Sequence, residues 1–473
     1  MPLPYPTWLS PGDNAWQLTA ATLVGLMSVP GLVVLYGGVM QKRWSVNSMM
    51  LTFAAFAVVL IVWVLWGFKM AFGHPIGSGT GFFSTFIGVP GTILGAAQEE
   101  GRANIPLLSG GMPAFRFPQS SLAYFQFVFA AITPILMLGS VLGRVNFKAW
   151  IPFVALWSTF IYSINAFLIW GGGFFAHMGA VDYSGGYVIH LSAGVSGFVA
   201  AAVIGPRLQR DREIDAPNNV AMVAVGAGLL WLGWNGFNGG DPYFAGANAS
   251  AAVLNTNLCT AVAFLIWVGW DYLTGRKPGL LSGVNGMITG LVAITPAAGY
   301  VNGWGAIALG VIASSIVYFA LNYLSRLRPL RKVDDTLGVV YTHGFAGLAG
   351  GLLVGVFADP AMLVYPGHGK VSGFSAVGLL HGNWTLLKWQ FLAAFWVIAF
   401  SGAGTFALLK LVGLFVPMRM SEKNMEIGDT AEHGHEVYPS DVPSLGFPGG
   451  LPGLGHGTPH APSPAPTPTP STA

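Results

Sequence analysis

Long apolar runs separated by short polar turns dominate this chain. A helix needs about 20 mostly apolar residues to cross a bilayer. Eleven stretches reach that length, at about 16–38, 47–72, 120–142, 149–170, 185–205, 219–238, 249–271, 280–297, 303–324, 337–357 and 388–416. The pattern predicts an all-α membrane protein with eleven transmembrane helices. Two Gly- and Pro-rich stretches, 73–118 and 358–387, fall between the runs as long loops.

Composition closes off the soluble alternative. The chain has 473 residues, 53% hydrophobic and only 8% charged, whereas a soluble domain carries about 25% charged residues. The 66 glycines suit close helix contacts in lipid. A net charge of +3 gives no argument for nucleic acid. The single cysteine, Cys259, lies in an apolar run, excludes an intrachain disulfide and is assigned to packing.

The placement of charge orients the spans. No basic residue precedes Lys42, so the first run reads as a retained helix with its N-terminal segment outside. Alternation then puts sixteen Lys and Arg on the inner side, among them Lys42, Arg43, Arg144, Arg207, Arg326, Arg331 and Arg419. Five fall on the outer side: Lys69, Arg102, Arg116, Lys370 and Lys388. That asymmetry is the positive-inside pattern of a multi-pass cell (inner) membrane protein with a cytoplasmic C-terminus. The expected organisation is an outer segment at 1–15, an eleven-helix domain at 16–417, a cytoplasmic tail at 418–438 and a disordered Pro-rich tail at 439–473.

Two short strings occur twice. AITP stands at 131–134 and again at 293–296, in the third and eighth runs. His-x-x-Ala-Gly-x-x-Gly spans His190–Gly197 and recurs at His343–Gly350, in the fifth and tenth. Both pairs are five runs apart, and an odd offset reverses the direction of crossing. This predicts a 5+5 inverted-topology repeat, a path near its pseudo-two-fold axis, and an eleventh helix outside the repeat.

Candidate chemistry is sparse. No Asp, Glu, Lys or Arg lies near the middle of a run, where each costs roughly 2.5–3.5 kcal/mol on insertion scales. The ionisable groups within the runs are His190 and His343, at equivalent places in the repeat. Each alone reads equally as a packed, satisfied histidine; as a symmetric pair they are expected to share a hydrogen bond and relay a proton. Phe125, Phe129, Trp170, Trp234 and Phe237 gather near outer helix ends. They fit an interfacial belt or a cage whose faces attract a small cation by roughly 0.5–2 kcal/mol. Asp182, eight residues before His190, is either the N-cap of the fifth helix or part of a site. Asp241, in WNGFNGGDPYFAG, is either a loop or cap residue or a carboxylate that concentrates cations at an outer mouth. The tail string EHGHE, Glu432–Glu436, reads as solvated rather than metal-binding. With no Walker motif, no dinucleotide fingerprint and no HExxH, neither enzymatic catalysis nor a cofactor is expected.

Together these residues resemble the ammonium transporter (Amt/Mep/Rh) family, from about residue 13 to 438. The strings that carry the likeness are SVPGLVVLYGGVMQKR, FQFVFAAIT, IWGGGFFAHMGAVDYSGGYVIH, GWNGFNGGD, ITPAAGY and VDDTLGVVYTHG. Trp170 and the aromatic outer site point within the family to the bacterial Amt-type branch rather than a Rh-like gas channel. The resemblance implies a homotrimer whose protomers each hold a narrow apolar pore for ammonium or ammonia, with methylammonium as an analogue. It implies that Phe129 and Phe237 gate the pore, that Trp170 lines the ammonium site and that His190 and His343 are the paired pore histidines. Asp182 matches a structural carboxylate, Thr295 a threonine by the pore, and Phe125 and Trp234 neighbouring aromatics. The tail matches a regulatory segment through Met425, Gly428, Asp429, His433 and Tyr438, a face that a PII signalling protein blocks in bacterial members. An ammonium sensor built on the same pore body is the alternative, though the tail is short for a signalling domain. Two positions depart from the pattern: Asp241 stands where serine is usual, and Gly338 where many members carry an acidic residue.

Overall fold

The computed structural model describes residues 6–214, 216–364 and 374–438. The expected disordered tail at 439–473, the first five residues of the N-terminal segment and Lys370 lie outside those residues.

Each apolar run forms a helix. They are α1 (Pro11–Val39), α2 (Lys42–Phe72), α3 (Gln119–Leu138), α4 (Phe147–His177), α5 (Gly186–Ile204), α6 (Val220–Gly239), α7 (Ala247–Leu273), α8 (Leu280–Ile294), α9 (Gly303–Arg326), α10 (Val340–Phe357) and α11 (Trp384–Gly413). Ten of these, among the described residues, are long and apolar enough to cross a membrane. The exception is α8, whose 15 helical residues stop at Ile294. The chain continues its line through turns to Tyr300, because Pro296 has no N–H to extend the helix. Two short helices follow in the tail, α12 (Glu422–Ile427) and α13 (Asp429–His433).

Sequence signals place several helix ends. Ser10 caps α1 through a hydrogen bond accepted from the Asp13 N–H, with Pro11 at the first helical position. α1 therefore starts five residues before its apolar run. Asn146, Asn219, Asn302 and Asn383 cap α4, α6, α9 and α11 in the same manner. α1 changes register at Met27–Leu32, where Val29 leaves helical geometry ahead of Pro30.

One face of the bundle gathers the basic residues. Arg144 is fully buried there and donates to the carbonyls of Gly205 (2.7 Å), Ser140 (2.9 Å) and Asp334, and to the Thr336 hydroxyl (2.6 Å). Arg207 pairs with Asp334 at 2.9 Å. The tail closes over this face: the Met420 N–H donates to the Arg144 carbonyl, and Arg43 donates to the carbonyls of Met425 and Glu426. The Asp429 carboxylate accepts from the N–H groups of Val46 and Asn47, both at 2.8 Å, and so caps α2 from a distant part of the chain. The EHGHE segment is less solvated than its composition suggests. Its His433 packs edge-on against Phe147 at 5.5 Å and lies 3.0 Å from the Asn47 amide.

At the opposite face the 73–118 loop folds onto the bundle, burying Ile93, Ala103, Ile105, Phe115 and Phe117. Phe115 meets Tyr243 at 5.1 Å, and Tyr243 meets Phe125 at 6.2 Å. The loop thus walls the aromatic mouth described below. Cys259 is buried between α7 and α8.

Candidate functional site

The site is built at the starts of α5 and α10. Each opens with a π turn, Gly186–Leu191 and Val340–Phe345, that carries one of the two histidines. Each is preceded by an aspartate whose side chain caps it. Asp182 accepts from four backbone N–H groups, those of Gly185, Gly186, Tyr187 and Val188, at 2.6–3.1 Å. Asp335 accepts from Val339 and Val340 at 3.1 and 2.9 Å. Asp335 precedes His343 by eight residues, as Asp182 precedes His190. Three residues after each aspartate stands a glycine with positive φ, Gly185 at 118° and Gly338 at 68°. The repeat is therefore longer than its histidine string and reads Asp-x-x-Gly-x-x-x-x-His-x-x-Ala-Gly-x-x-Gly. Gly338 is thus the symmetry mate of Gly185, held there by a backbone that strains any side chain. Asp335 is the capping carboxylate of the site that sequence reasoning did not single out. Its signal was an aspartate at the matching offset, inside the string VDDTLGVVYTHG.

The two helices cross at bare backbone. A Cβ on Gly194 would lie 2.4 Å from the Gly344 Cα, and one on Gly347 would lie 2.5 Å from the Gly186 carbonyl oxygen. This contact brings the imidazoles together, with Nδ1 of His190 3.2 Å from Nδ1 of His343 and ring centroids 5.3 Å apart. One nitrogen must donate and the other accept, so the rings hold opposite tautomers. His190 is fully buried, and its Nε2 has no partner.

Aromatic rings pack around His190. His190 stacks on Trp234 at 5.4 Å and on Phe237 at 5.9 Å, within 21° of parallel. The Trp234 indole N–H donates to the Thr295 hydroxyl at 2.8 Å, and that hydroxyl donates to the Leu291 carbonyl at 2.7 Å. Thr295 therefore aims Trp234. Phe237 packs on Phe129 at 4.4 Å, with neither ring exposed. Phe129 touches Phe125 at 4.8 Å and meets Trp170 edge-on at 6.1 Å. Trp170 is partly exposed, and its N–H donates to the Asp182 carbonyl at 2.6 Å.

Asp241 follows α6 at this mouth and does not cap α7, whose N-cap is Gly246 without side-chain help. The carboxyl of Asp241 is 7% exposed, its Oδ2 has no partner, and it lies beside Ser184 within electrostatic reach of Asp182. The ring of Phe125 closes on the backbone just before it, since a Cβ on Gly240 would lie 2.5 Å from Phe125 Cε2.

Below the histidines, a cavity of about 490 Å³ opens toward the basic face. His343 and Trp234 form its inner end, Leu32, Ile132 and Leu230 its walls, and Arg326 and Arg331 its lip. The order along the axis is Trp170, Phe129, Phe237, His190, His343 and then the cavity. No group of three or more His, Cys, Asp or Glu among the described residues is placed to hold a metal ion.

Comparison with known proteins agrees with this architecture. The profile of the Ammonium Transporter Family matches residues 15–438. The chain is 48% identical over 446 residues to ammonium transporter 3 member 2 of Oryza sativa subsp. japonica, covering 91% of this chain and 90% of that protein. It is 47% identical over 436 residues to ammonium transporter 2 of Arabidopsis thaliana, covering 92% and 89%. The crystal structure of Saccharomyces cerevisiae Mep2 superposes with a TM-score of 0.75 at 30% identity, over 88% of this chain and 89% of that one. A structure titled a sensor Amt protein shares the fold, with a TM-score of 0.73 at 23% identity. The assignment to a bacterial Amt-type branch is not supported, because these relatives are plant and fungal proteins. A family match across nearly the whole chain, with relatives near half identity, shows that this chain belongs to the ammonium transporter family and is a multi-pass membrane transporter rather than an enzyme.

Proposed function

We propose that the chain captures ammonium at the mouth formed by Trp170, Phe129, Phe125 and Asp241, strips one proton, and conducts ammonia past Phe129 and Phe237 and along His190 and His343. The aromatic faces supply cation attraction, and Asp241 adds a buried carboxyl oxygen that has no other partner. A bare cation in the dry segment behind the paired phenylalanines would cost far more than these contacts return, so the neutral form crosses. The proton travels separately. The unpartnered Nε2 of His190 takes it up, the shared Nδ1 hydrogen bond hands it across, and His343 releases it into the cavity. The observation that carries this reading is the 3.2 Å contact between two imidazoles sealed behind stacked phenylalanines.

The same reading places the protein in the cell membrane as a homotrimer, with the aromatic mouth outside and the tail in the cytoplasm. A PII-type regulator would dock on the basic face, where the tail lies.

Proteoliposomes under an inward ammonium gradient test the mechanism. The wild type should give a transient current and methylammonium uptake. His190→Ala and His343→Ala should each lose the current. Undiminished current in both variants removes the relay, and absence of any flux in the wild type favours a sensor using the same pore body.

A further inference from the structure

A second, smaller cavity lies on the basic face, beside the cavity below the histidines, with which it shares Val39, Leu281 and Leu337. The turn between α1 and α2 packs against the short helix Gln209–Glu213 around a cavity of about 70 Å³. That is room for one or two water-sized molecules at ~30 Å³ each. Its lining includes Met40, Gln41, Trp44, Arg207, Asp211 and Leu281.

Two of these side chains are buried and incomplete. Trp44 is 1% exposed, and its indole Nε1 has no acceptor. Asp211 is 2% exposed, and its Oδ2 has no donor, although Oδ1 is bound by Arg43. An orphaned N–H and an orphaned carboxylate oxygen are each costly when buried. Here both side chains line one small void, so a single guest is the economical way to satisfy both.

The chemistry of the pair selects the guest. An indole only donates and a carboxylate only accepts. The guest must therefore accept one hydrogen bond and donate another. Water and ammonia do both. Neither ammonium nor a bare metal cation has a lone pair to accept the indole proton.

The site also touches the tail. Arg43, bound to Asp211, holds the carbonyls of Met425 and Glu426 at 2.7 and 2.9 Å, and Arg210 holds the Glu426 carbonyl at 2.6 Å. A guest that fixes Asp211 fixes Arg43, and with it the docked tail.

We propose that this cavity binds one small neutral hydride, water or ammonia, which bridges Trp44 to Asp211 and braces the tail through Arg43. The ammonia source rests on the transport reading; the bridge itself does not.

The full chain in lipid nanodiscs supports the test. A cryo-EM map that resolves other buried waters should show a peak within about 3 Å of both Trp44 Nε1 and Asp211 Oδ2. Trp44→Phe keeps the ring and removes the donor. It should abolish the peak and raise hydrogen exchange over residues 425–433 by about fivefold, the factor for one lost hydrogen bond of ordinary strength. An empty cavity in the wild-type map overturns the proposal, whatever the variant does. Unchanged tail exchange in Trp44→Phe overturns the brace. Ammonium chloride against potassium chloride at pH 7 and at pH 9 separates the two sources. A change in tail exchange that grows with free ammonia assigns ammonia, and no response to either salt assigns water. A response that follows the ammonium cation equally at both pH values overturns the neutral guest. Loss of ammonium flux in liposomes would sink the transport reading and leave this result standing.

Discussion

Asp241 is the residue at the aromatic mouth whose chemistry a single substitution can read. Its side chain is buried, and its Oδ2 has no partner. Asp241→Ser should raise the half-saturating concentration of methylammonium about fivefold, one hydrogen bond contributing on the order of 1 kcal/mol, and leave the maximal rate nearly unchanged. Concentration dependence identical to the wild type would show that the carboxylate does not face the cation. At this scale much of the site was legible. His190 and His343 stood out because ionisable groups inside apolar runs are rare and these two share a repeated string. The aromatic residues were visible but ambiguous, since a belt and a cage use the same rings at the same depth. Only the stacking of His190 on Trp234 and Phe237 separates the readings for those two. Asp335 stayed hidden because a capping carboxylate in a turn has no composition signal of its own.

At the scale of elements, the mirrored caps are the organising device. A helix start leaves backbone N–H groups without partners, and in a dry interior water cannot supply them. Asp182 and Asp335 do, and each therefore fixes the π turn that carries its histidine. Asp335→Asn retains one acceptor and loses the charge. It should cost about 1 kcal/mol in stability and lower the ammonium current while leaving half-saturation in place, because His343 moves and the outer mouth does not. A shifted half-saturation with full current would assign Asp335 to capture instead. Helix count and order were readable from apolar length alone. The shortness of α8 and the break in α1 were not, because each depends on where a proline falls against its neighbours.

For the whole molecule, the basic face is a frame that ties the repeat ends to the tail. Arg144 reaches the ends of α3 and α5 and the turn before α10. The Arg207–Asp334 pair joins two of the same segments. Burial alone would raise the Asp334 carboxyl, but its hydrogen bonds from Arg207 and the charges of Arg207 and Arg144 outweigh that and hold it below the ordinary carboxylate range. A lowered carboxyl contributes stability that is complete above the unfolded value of about 4 and is lost as pH falls through the lowered value. The clamp should therefore be constant from pH 5 to pH 8. Asp334→Asn should lower the unfolding free energy of the solubilised protein by about 3 kcal/mol, the scale of a broken buried pair. A thermal midpoint for Asp334→Asn equal to the wild type at pH 7 would show the pair to be idle. By itself the amino-acid sequence determined the number and order of the helices, the internal repeat and the two histidines worth watching, because apolar length and recurrence are properties of the chain. Tertiary structure alone decided that the imidazoles touch, that the phenylalanines close over them and that a distant aspartate caps α2. Those facts depend on how closely glycine-lined helices approach, and residues hundreds of positions apart meet only once the backbones have packed.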